Sequence, residues 1–291
     1  MSFERTYSNG VVSPAVHLGT YRIKTQEDVR TSVVSALAAG YRGIDTAEVY
    51  RNQCKIGQVL ADNMHTMGVT RQDLFITSKL HPKDHGKEKC QVAVDKALRD
   101  LGTEYLDLFL LHWPGVQKLD VKDPLNKKMR AESWKVLEEN YRNKKIRSIG
   151  VSNYTLDHMK ELLENCEIAP HVLQIELHPH YQQRELVSFC ESQGVHVQAY
   201  SSLGQNGASG PLFSSEVVKK VCSIVGHSPA QVLLRWGLQK GFTVMPKSIH
   251  PERIKENIKL DFEIPSACMD MLDDLEKEVV EKYAWDPRTV L

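Results

Sequence analysis

The sequence contains no apolar run that could cross a bilayer and no excess of either charge. A membrane-spanning helix needs about 20 consecutive apolar residues, and no stretch of the 291-residue chain approaches that length. The 37 basic and 37 acidic residues cancel to a formal net charge of +0. This balance gives no electrostatic reason to expect a nucleic acid or a membrane surface as partner.

Closely spaced cysteines are also lacking. The six cysteines are scattered, with no C-x-x-C pair: Cys54, Cys90, Cys166, Cys190, Cys222 and Cys268. In a chain of this length they indicate buried free thiols in a reducing compartment rather than a disulfide framework. Residues 1–5 lack a basic segment followed by an apolar one, so no secretory signal is visible. We therefore expect a soluble cytoplasmic protein.

Several enzyme motifs are missing. No G-x-G-x-x-G turn follows the first predicted strand, which disfavours a doubly wound open sheet. There is no nucleophilic Ser or Cys elbow, no H-E-x-x-H pattern, and no H-x-H other than His178-Pro179-His180. The segment 178–180 holds two histidines, but its central proline and the lack of carboxylate partners favour a loop over a metal site. We predict no bound metal.

Short apolar strands alternate with amphipathic helices along the chain. Eight strand centres are predicted at Val16, Ile44, Ile76, Leu108, Ile149, Ile175, Val197 and Val244. Each interval is long enough for a helix that connects parallel strands, and the strands lack strict alternation, as expected when both faces are covered. We predict a single α/β domain over residues 1–291, a (β/α)8 TIM barrel with an N-terminal β-hairpin and a C-terminal helix and tail.

Local signals set the predicted boundaries. Asn9-Gly10 favours a type I′ hairpin turn. Helices are predicted over residues 26–39, 52–67, 87–101, 129–143, 155–165, 184–193, 215–225, 229–240, 251–258 and 266–278, with Asn153 or Thr155 capping the fifth.

Polar residues follow the predicted strand ends, which meet at one face of a barrel. These residues are Asp45, Lys79, His112, Ser152, Asn153, Gln174, Glu176, Tyr200, Ser201, Lys247 and Ser248. Each has a structural alternative: a helix cap for Asp45 or Ser152, a solvated charge for Lys79, a satisfied core histidine for His112. The occurrence of Asp45 with Tyr50, Lys79 and His112 at three consecutive strand ends favours a catalytic group.

The chemistry open to these four side chains is specific. The ordinary pKa of tyrosine is about 10, and a nearby lysine cation favours the phenolate, which would make Tyr50 a better proton donor. Asp45 would fix Lys79 and compensate its burial, and His112 can orient a carbonyl oxygen. Such a site protonates an oxygen while a hydride arrives at the attached carbon.

A basic segment late in the chain suggests an anion site. Lys247, Ser248 and Arg253 surround a predicted helix start, where free amides and the helix dipole favour anions. The planar guanidinium of Arg253 can grip a phosphate. The alternative is a solvent-exposed basic helix start.

Taken in order, these segments resemble the aldo-keto reductase family over nearly the whole chain. The segments that carry the resemblance are 43–50, Lys79, 110–114, 149–153, 174–179, 200–204 and 247–257. The family is a (β/α)8 barrel that uses NAD(P)H, usually NADPH, to reduce aldehydes and ketones. The resemblance implies that Tyr50 is the general acid, that Lys79 and Asp45 tune it, and that His112 orients the carbonyl.

The resemblance also implies the cofactor and its contacts. In order from nicotinamide to adenine, these are Ser152, Asn153 and Gln174 at the carboxamide, Tyr200 on the ring, Ser201 and Leu203 at the pyrophosphate, Lys247, Ser248 and Arg253 at the 2′-phosphate, and Asn257 at the adenine, with Gly19, Thr20 and Asp45 completing the set. The 2′-phosphate group of residues favours NADPH over NADH.

The substrate pocket departs from many relatives. Many carry Trp where this chain has Tyr21, and some carry an aromatic wall where it has His81. The predicted substrate contacts are Tyr21, Val49, Tyr50, His81, His112, Trp113 and Trp285. Because the 205–210 loop and the tail after residue 278 are short, we expect an open, shallow pocket that accepts small carbonyls such as aldehydes, α-dicarbonyls or short sugars.

Two other functions are compatible with a barrel of this kind. A non-catalytic relative, such as a crystallin-like or channel-associated subunit, would bind the nucleotide but has no need of all four catalytic groups. An unrelated metal-dependent barrel hydrolase is disfavoured by the missing metal motifs. A small-molecule carbonyl is the expected partner, and we expect a monomer.

Overall fold

The computed structural model describes residues 3–204 and 210–291. An antiparallel hairpin of β1 (Glu4–Thr6) and β2 (Val12–Pro14) comes first. Of the pair Asn9-Gly10, only Gly10 has a positive φ, +80°. Since a type I′ turn needs positive φ at both residues, that prediction is wrong. The hairpin loop is wider, and the Asn9 amide donates to the carbonyl oxygen of Arg147 at 3.0 Å instead.

The eight predicted parallel strands form one sheet in which every neighbouring pair follows chain order. They are β3 (His17–Gly19), β4 (Gly43–Asp45), β5 (Phe75–Leu80), β6 (Leu108–Leu111), β7 (Ile149–Ser152), β8 (Val172–Glu176), β9 (His196–Tyr200) and β10 (Thr243–Val244). A bridge between Val16 and Val244 joins the two edges, and the amide of Val244 donates to the carbonyl oxygen of Ala15 at 2.9 Å. The predicted (β/α)8 barrel is confirmed.

The helices lie where the sequence predicted them, with shifts at their ends. They are α1 (Gln26–Ala38), α2 (Gln53–Asn63), α3 (Lys87–Leu101), α4 (Leu125–Arg142), α5 (Leu156–Asn165), α6 (Arg184–Ser192), α7 (Pro211–Ser214), α8 (Glu216–Val225), α9 (Pro229–Gln239), α10 (Pro251–Asn257) and α11 (Ser266–Glu278). The short α7 was not predicted. Thr155, not Asn153, caps α5, because its hydroxyl accepts from the amide of His158.

The interior of the barrel is filled at its N-terminal end. Tyr7, from the end of the hairpin, packs with side chains of the strands: Phe75, Leu108, Leu110 and Val172. Its hydroxyl accepts from the amide of Gln198 at 3.0 Å. The outward-facing strand residues pack against the helices in one larger core. With the lower end plugged, the carboxyl ends of the strands form the face that can receive a ligand.

The cysteine prediction is correct in pairing but not in burial. All six thiols are free, and Cys90, Cys190 and Cys268 are buried. Cys54 is exposed on the outer face of α2, so the expectation of burial is wrong there. Within residues 3–204 and 210–291, no helix is long and apolar enough to cross a membrane. The single-domain organisation of residues 1–291 stays a prediction.

Candidate active site

Two neighbouring strand ends bring a buried ion pair beneath a phenol. Asp45 ends β4, and Lys79 lies one residue before the end of β5. The ammonium of Lys79 donates to Asp45 Oδ1 at 2.6 Å, to the carbonyl oxygen of Thr46 at 3.0 Å and to the Tyr50 hydroxyl at 3.2 Å. All three N–H donors are therefore used. Lys79 is fully buried, which rules out the alternative of a solvated strand-end charge.

The second oxygen of Asp45 is also engaged. Gln174, inside β8, donates its amide to Asp45 Oδ2 at 2.9 Å and to Gln198 Oε1 at 3.0 Å. The Asp45 carboxylate thus faces a lysine and an amide rather than the first turn of a helix. Asp45 therefore does not cap a helix, which was its structural alternative.

A single turn of 3-10 helix, Glu48–Tyr50, places the phenol over this pair. The turn ends at Arg51, whose φ of +58° reverses the chain into α2. The Tyr50 ring lies 5.7 Å from the His112 ring at an interplanar angle of 77° and 5.1 Å from the ring of Tyr21. The three rings therefore surround one space above Lys79.

The pKa of Tyr50 lies well above its ordinary value of 10.0, first because of burial and then because of the Asp45 carboxylate. The sequence predicted that the Lys79 cation would shift it downward. The net shift of the Tyr50 pKa is upward, so that prediction is wrong. Desolvation of the phenolate raises the pKa by more than the Lys79 charge lowers it. Tyr50 therefore holds its proton at neutral pH.

His112, immediately after β6, is a neutral imidazole. Burial, followed by the Lys79 charge, lowers the pKa of His112 well below 6.5. A neutral imidazole carries one N–H donor, which suits the orientation of a carbonyl oxygen. The side-chain amide of Asn153 donates to the carbonyl oxygen of His112 at 2.9 Å and fixes the backbone there.

Two further strand ends are held in an unusual backbone conformation. Asn153 follows β7 with φ +62°, and Ser201 follows β9 with φ +53°. The left-handed region is uncommon for residues other than glycine and clusters at functional sites. The Tyr200 hydroxyl donates to Asn153 Oδ1 at 2.6 Å and ties the two strand ends together.

One cavity of about 700 Å³ collects most of the predicted site residues. The predicted residues that line it are Gly19, Thr20, Tyr21, Asp45, Val49, Tyr50, His112, Trp113, Ser152, Asn153, Gln174, Tyr200, Ser201, Leu203, Lys247, Arg253 and Trp285. Lys79 lies beneath it, hydrogen-bonded to Tyr50. The lining residues that the sequence analysis missed are Arg22, Ser202, Gly204, Met245, Pro246, Tyr283 and Ala284. The predicted 205–210 loop falls largely outside the described residues.

Three predicted contact residues do not line this cavity. His81 caps the turn Pro82–Asp84 by accepting from the amide of Lys83. The Ser248 hydroxyl accepts from the amide of His250 at 3.0 Å. Asn257 is buried at the end of α10. Their assigned contacts with substrate or cofactor stay predictions.

The cavity has a cationic end. Lys247 follows β10, Arg253 lies in the first turns of α10, and both reach the cavity. In the described part of the chain, neither side chain has an ion-pair partner. Two cations without a carboxylate partner form a site that an anionic group can occupy.

The histidine pair at 178–180 has the carboxylate partner that the sequence did not reveal. His178 Nε2 lies 3.1 Å from Glu176 Oε1, so a carboxylate partner does exist. Among the described residues, the potential metal ligands that lie together are Glu48, His81 and Asp84. The Lys83 ammonium lies 3.2 Å from Glu48 Oε1 and already compensates that charge.

Comparison with known proteins agrees with this geometry. The profile described as "Aldo/keto reductase family" matches residues 15–277. The chain is similar to a "Glyoxal reductase" of Bacillus subtilis (strain 168), 40% identical over 93% of this chain and 91% of the relative. It is 34% identical to a "Glycerol 2-dehydrogenase (NADP(+))" of Saccharomyces cerevisiae over 96% of this chain and 93% of the relative.

Solved structures show the same architecture. A Bombyx mori aldo-keto reductase in complex with NADP superposes with a TM-score of 0.86 at 31% identity, covering 97% of this chain and 95% of that one. The barrel fold, the profile match and the two relatives, each matched over more than 90% of its length, support the same family. The chain belongs to the aldo/keto reductase family.

Proposed function

We propose that this protein reduces aldehydes and ketones to alcohols with NADPH, and that Tyr50 is the general acid. The observation that carries the proposal is the Lys79 ammonium, which donates at once to Asp45 and to the Tyr50 hydroxyl. A buried phenol above a fixed cation and beside a neutral imidazole is suited to proton donation to an oxygen.

The described residues fit NADPH. Lys247 and Arg253, without carboxylate partners at one end of the cavity, would hold the 2′-phosphate. Ser152, Asn153 and Gln174 would hold the carboxamide, and Tyr200 would pack on the nicotinamide ring. When bound, NADPH supplies the hydride that reduces the carbonyl carbon. The NADP named for two of the similar proteins supports this assignment.

The chain's own residues account for the proton. His112 donates a hydrogen bond to the carbonyl oxygen and sets its distance from Tyr50. As the oxygen gains negative charge it becomes a stronger base than a phenolate, so Tyr50 gives up its proton despite its raised pKa. The Lys79 cation stabilises the phenolate that remains.

We further propose that the substrates are small carbonyls, α-dicarbonyls among them. Tyr21 and Trp285 at the cavity mouth are 54% and 49% exposed, so the pocket opens widely to solvent. The similarity to a protein named glyoxal reductase supports a dicarbonyl. A steady-state series of methylglyoxal, aromatic aldehydes and a steroid ketone tests this, and the highest kcat/KM for the steroid would contradict it.

Replacement of the proposed acid tests the mechanism. Tyr50→Phe should abolish NADPH oxidation with methylglyoxal while the NADPH dissociation constant, measured by fluorescence titration, stays within about threefold of the parent. Tyr21→Phe is the control, since it keeps a ring beside Tyr50 and should retain turnover. Parent-like turnover by Tyr50→Phe would remove Tyr50 from the mechanism.

The monomeric state and the cytoplasmic location stay predictions. Analytical ultracentrifugation of the purified protein tests the first.

A further inference from the structure

Glu176, the last residue of β8, is a buried carboxylate without a part in the proposed proton transfer. It accepts from Lys282 Nζ at 2.7 Å, from the amide of Tyr283 at 2.5 Å and from the amide of Ala284 at 2.9 Å. His178 Nε2 lies 3.1 Å from it. Burial alone would raise the pKa of Glu176, but these hydrogen bonds lower it to about 2. The carboxylate is therefore ionised and fixed to the tail.

A second anchor holds the far end of the same segment, residues 282–291, which we name the strap. Arg130 Nη1 donates to the main-chain oxygen of Leu291 at 2.5 Å, and His158 Nε2 lies 3.1 Å from the oxygen of Val290. The amide of Leu291 donates to the oxygen of Val121 at 2.8 Å. The strap thus crosses the barrel mouth from the end of β8 to α4 and α5.

Trp285 lies between the two anchors. Its ring is 4.9 Å from that of Trp113 at 67°, and the side chain is half exposed. A half-exposed side chain is not fixed by its own burial, so its position over the cavity depends on the backbone on either side. The Glu176 anchor ends at Ala284, the residue immediately before Trp285.

The anchored segment also touches the chain that follows β9. A Cβ on Gly204 would lie 3.3 Å from the Tyr283 ring, so the two segments are in close packing. Leu203, beside Gly204, lines the same cavity as Trp285. The Glu176 contacts therefore hold the strap at the junction between the proposed cofactor and substrate parts of the cavity.

We propose that Glu176 is a positioning residue that sets Trp285 against Trp113 and thereby determines the affinity for aromatic carbonyl substrates. The proposal rests on the proposed function and adds a specificity determinant to it. A carboxylate is needed because two amides and one ammonium require an acceptor with several lone pairs. A glutamine offers one oxygen, and its NH2 group would face a donor.

Glu176→Gln should raise KM for benzaldehyde about three- to tenfold, the effect of losing an aromatic contact. For methylglyoxal, which is too small to reach both tryptophans, KM and kcat should stay within about twofold. Hydrogen exchange at the amides of Tyr283 and Ala284 should become faster. Trp285→Ala should reproduce the benzaldehyde effect, and the double variant should add nothing to it.

Asp107→Asn is the matched control. Asp107 is another buried carboxylate with two cationic partners, Arg71 and Arg147, and one amide donor, but it lies at the opposite end of the barrel. The Asp107→Asn substitution should lower the free energy of unfolding without changing the ratio of the KM for benzaldehyde to the KM for methylglyoxal. If Glu176→Gln does not fold, Lys282→Met removes one strap contact and should shift the same ratio in the same direction.

The outcomes separate the two proposals. A parent protein that oxidises no NADPH with either aldehyde overturns the proposed function. With an active parent, equal KM changes for both aldehydes in Glu176→Gln, or unchanged exchange at Tyr283 and Ala284, overturn the positioning role alone.

Discussion

Lys79 shows how one side chain joins the fold to the chemistry. Its charge is buried, and the three donors of its ammonium are satisfied by Asp45, Thr46 and Tyr50. Removal of one partner of a buried ion pair leaves the other charge uncompensated, which costs about 3–5 kcal/mol. The same residue is therefore expected to matter for stability and for turnover, and the two effects can be separated.

Lys79→Met should lower the free energy of unfolding by about 3 kcal/mol or more, because Asp45 is left buried without its cation. Turnover should fall at least about 100-fold, because the phenolate of Tyr50 loses its stabilising charge. Urea denaturation and steady-state kinetics measure the two effects. The double variant Asp45→Asn/Lys79→Met should regain much of the stability and none of the turnover. Recovered turnover would show that the cation is dispensable.

At this scale the sequence predicts which side chains come together better than it predicts their energetics, and the catalytic roles stay predictions. Asp45, Tyr50, Lys79 and His112 could be found because strand ends of a barrel meet at one face. The direction of the Tyr50 pKa could not, since it depends on how deeply the phenol is buried. Glu176 was visible as a strand-end carboxylate, but its partner Lys282 lies far along the chain, and only the fold brings them together.

Among the elements, α2 and α3 pack with backbone against backbone. A Cβ built on Gly57, in α2, would lie 2.5 Å from the carbonyl oxygen of Asp100 in α3. Such a distance requires one helix to move, since the obstacle is main chain rather than a flexible side chain. Glycine is thus retained inside a helix where alanine has the higher intrinsic propensity.

Gly57→Ala should lower the free energy of unfolding by about 1–3 kcal/mol, the cost of overpacking, despite the gain in helix propensity. Chemical denaturation monitored by circular dichroism measures this change. Gln58→Ala, on the exposed face of the same helix, is the control and should stay within about 0.5 kcal/mol of the parent. A stabilised Gly57→Ala protein would mean that α2 and α3 separate at no cost.

Element boundaries were less predictable than element order. The start of α4 moved to Leu125 because Asn126 is buried and its Oδ1 accepts from the amide of Val116, a loop contact that no local pattern shows. The hairpin turn differs because Asn9 bonds to Arg147 across the barrel base. In both places a tertiary hydrogen bond overrides the local propensity.

Across the whole molecule, buried histidines make stability depend on pH. Burial lowers the pKa of His17, His85 and His158 from 6.5 to about 4, and it lowers the pKa of the partly buried His196 to about 3. Between pH 6.5 and about 4 the unfolded chain binds more protons than the folded one. Their contribution to stability is therefore complete above pH 6.5 and is lost as the pH falls toward 4.

The free energy of unfolding should be lower at pH 5.0 than at pH 7.5, by up to about 2 kcal/mol for each fully buried histidine, since each pH unit below 6.5 costs about 1.4 kcal/mol. Urea unfolding at the two pH values measures the difference. His65→Ala changes an exposed histidine and should leave this difference in the free energy of unfolding unchanged. Equal stability at pH 7.5 and pH 5.0 would contradict the assignment of neutral buried imidazoles.

The place where the two edges of the sheet meet, between Val16 and Val244, has a consequence for the synthesis of the chain. Closure depends on β10, of two residues, whose Val244 meets Val16 from near the start of the chain. On the ribosome, β3 to β9 emerge before residue 243 does, and they leave two unpaired sheet edges of the kind that invites aggregation. The barrel cannot close before Thr243 and Val244 leave the exit tunnel, and we expect chaperones to associate with the nascent chain until then.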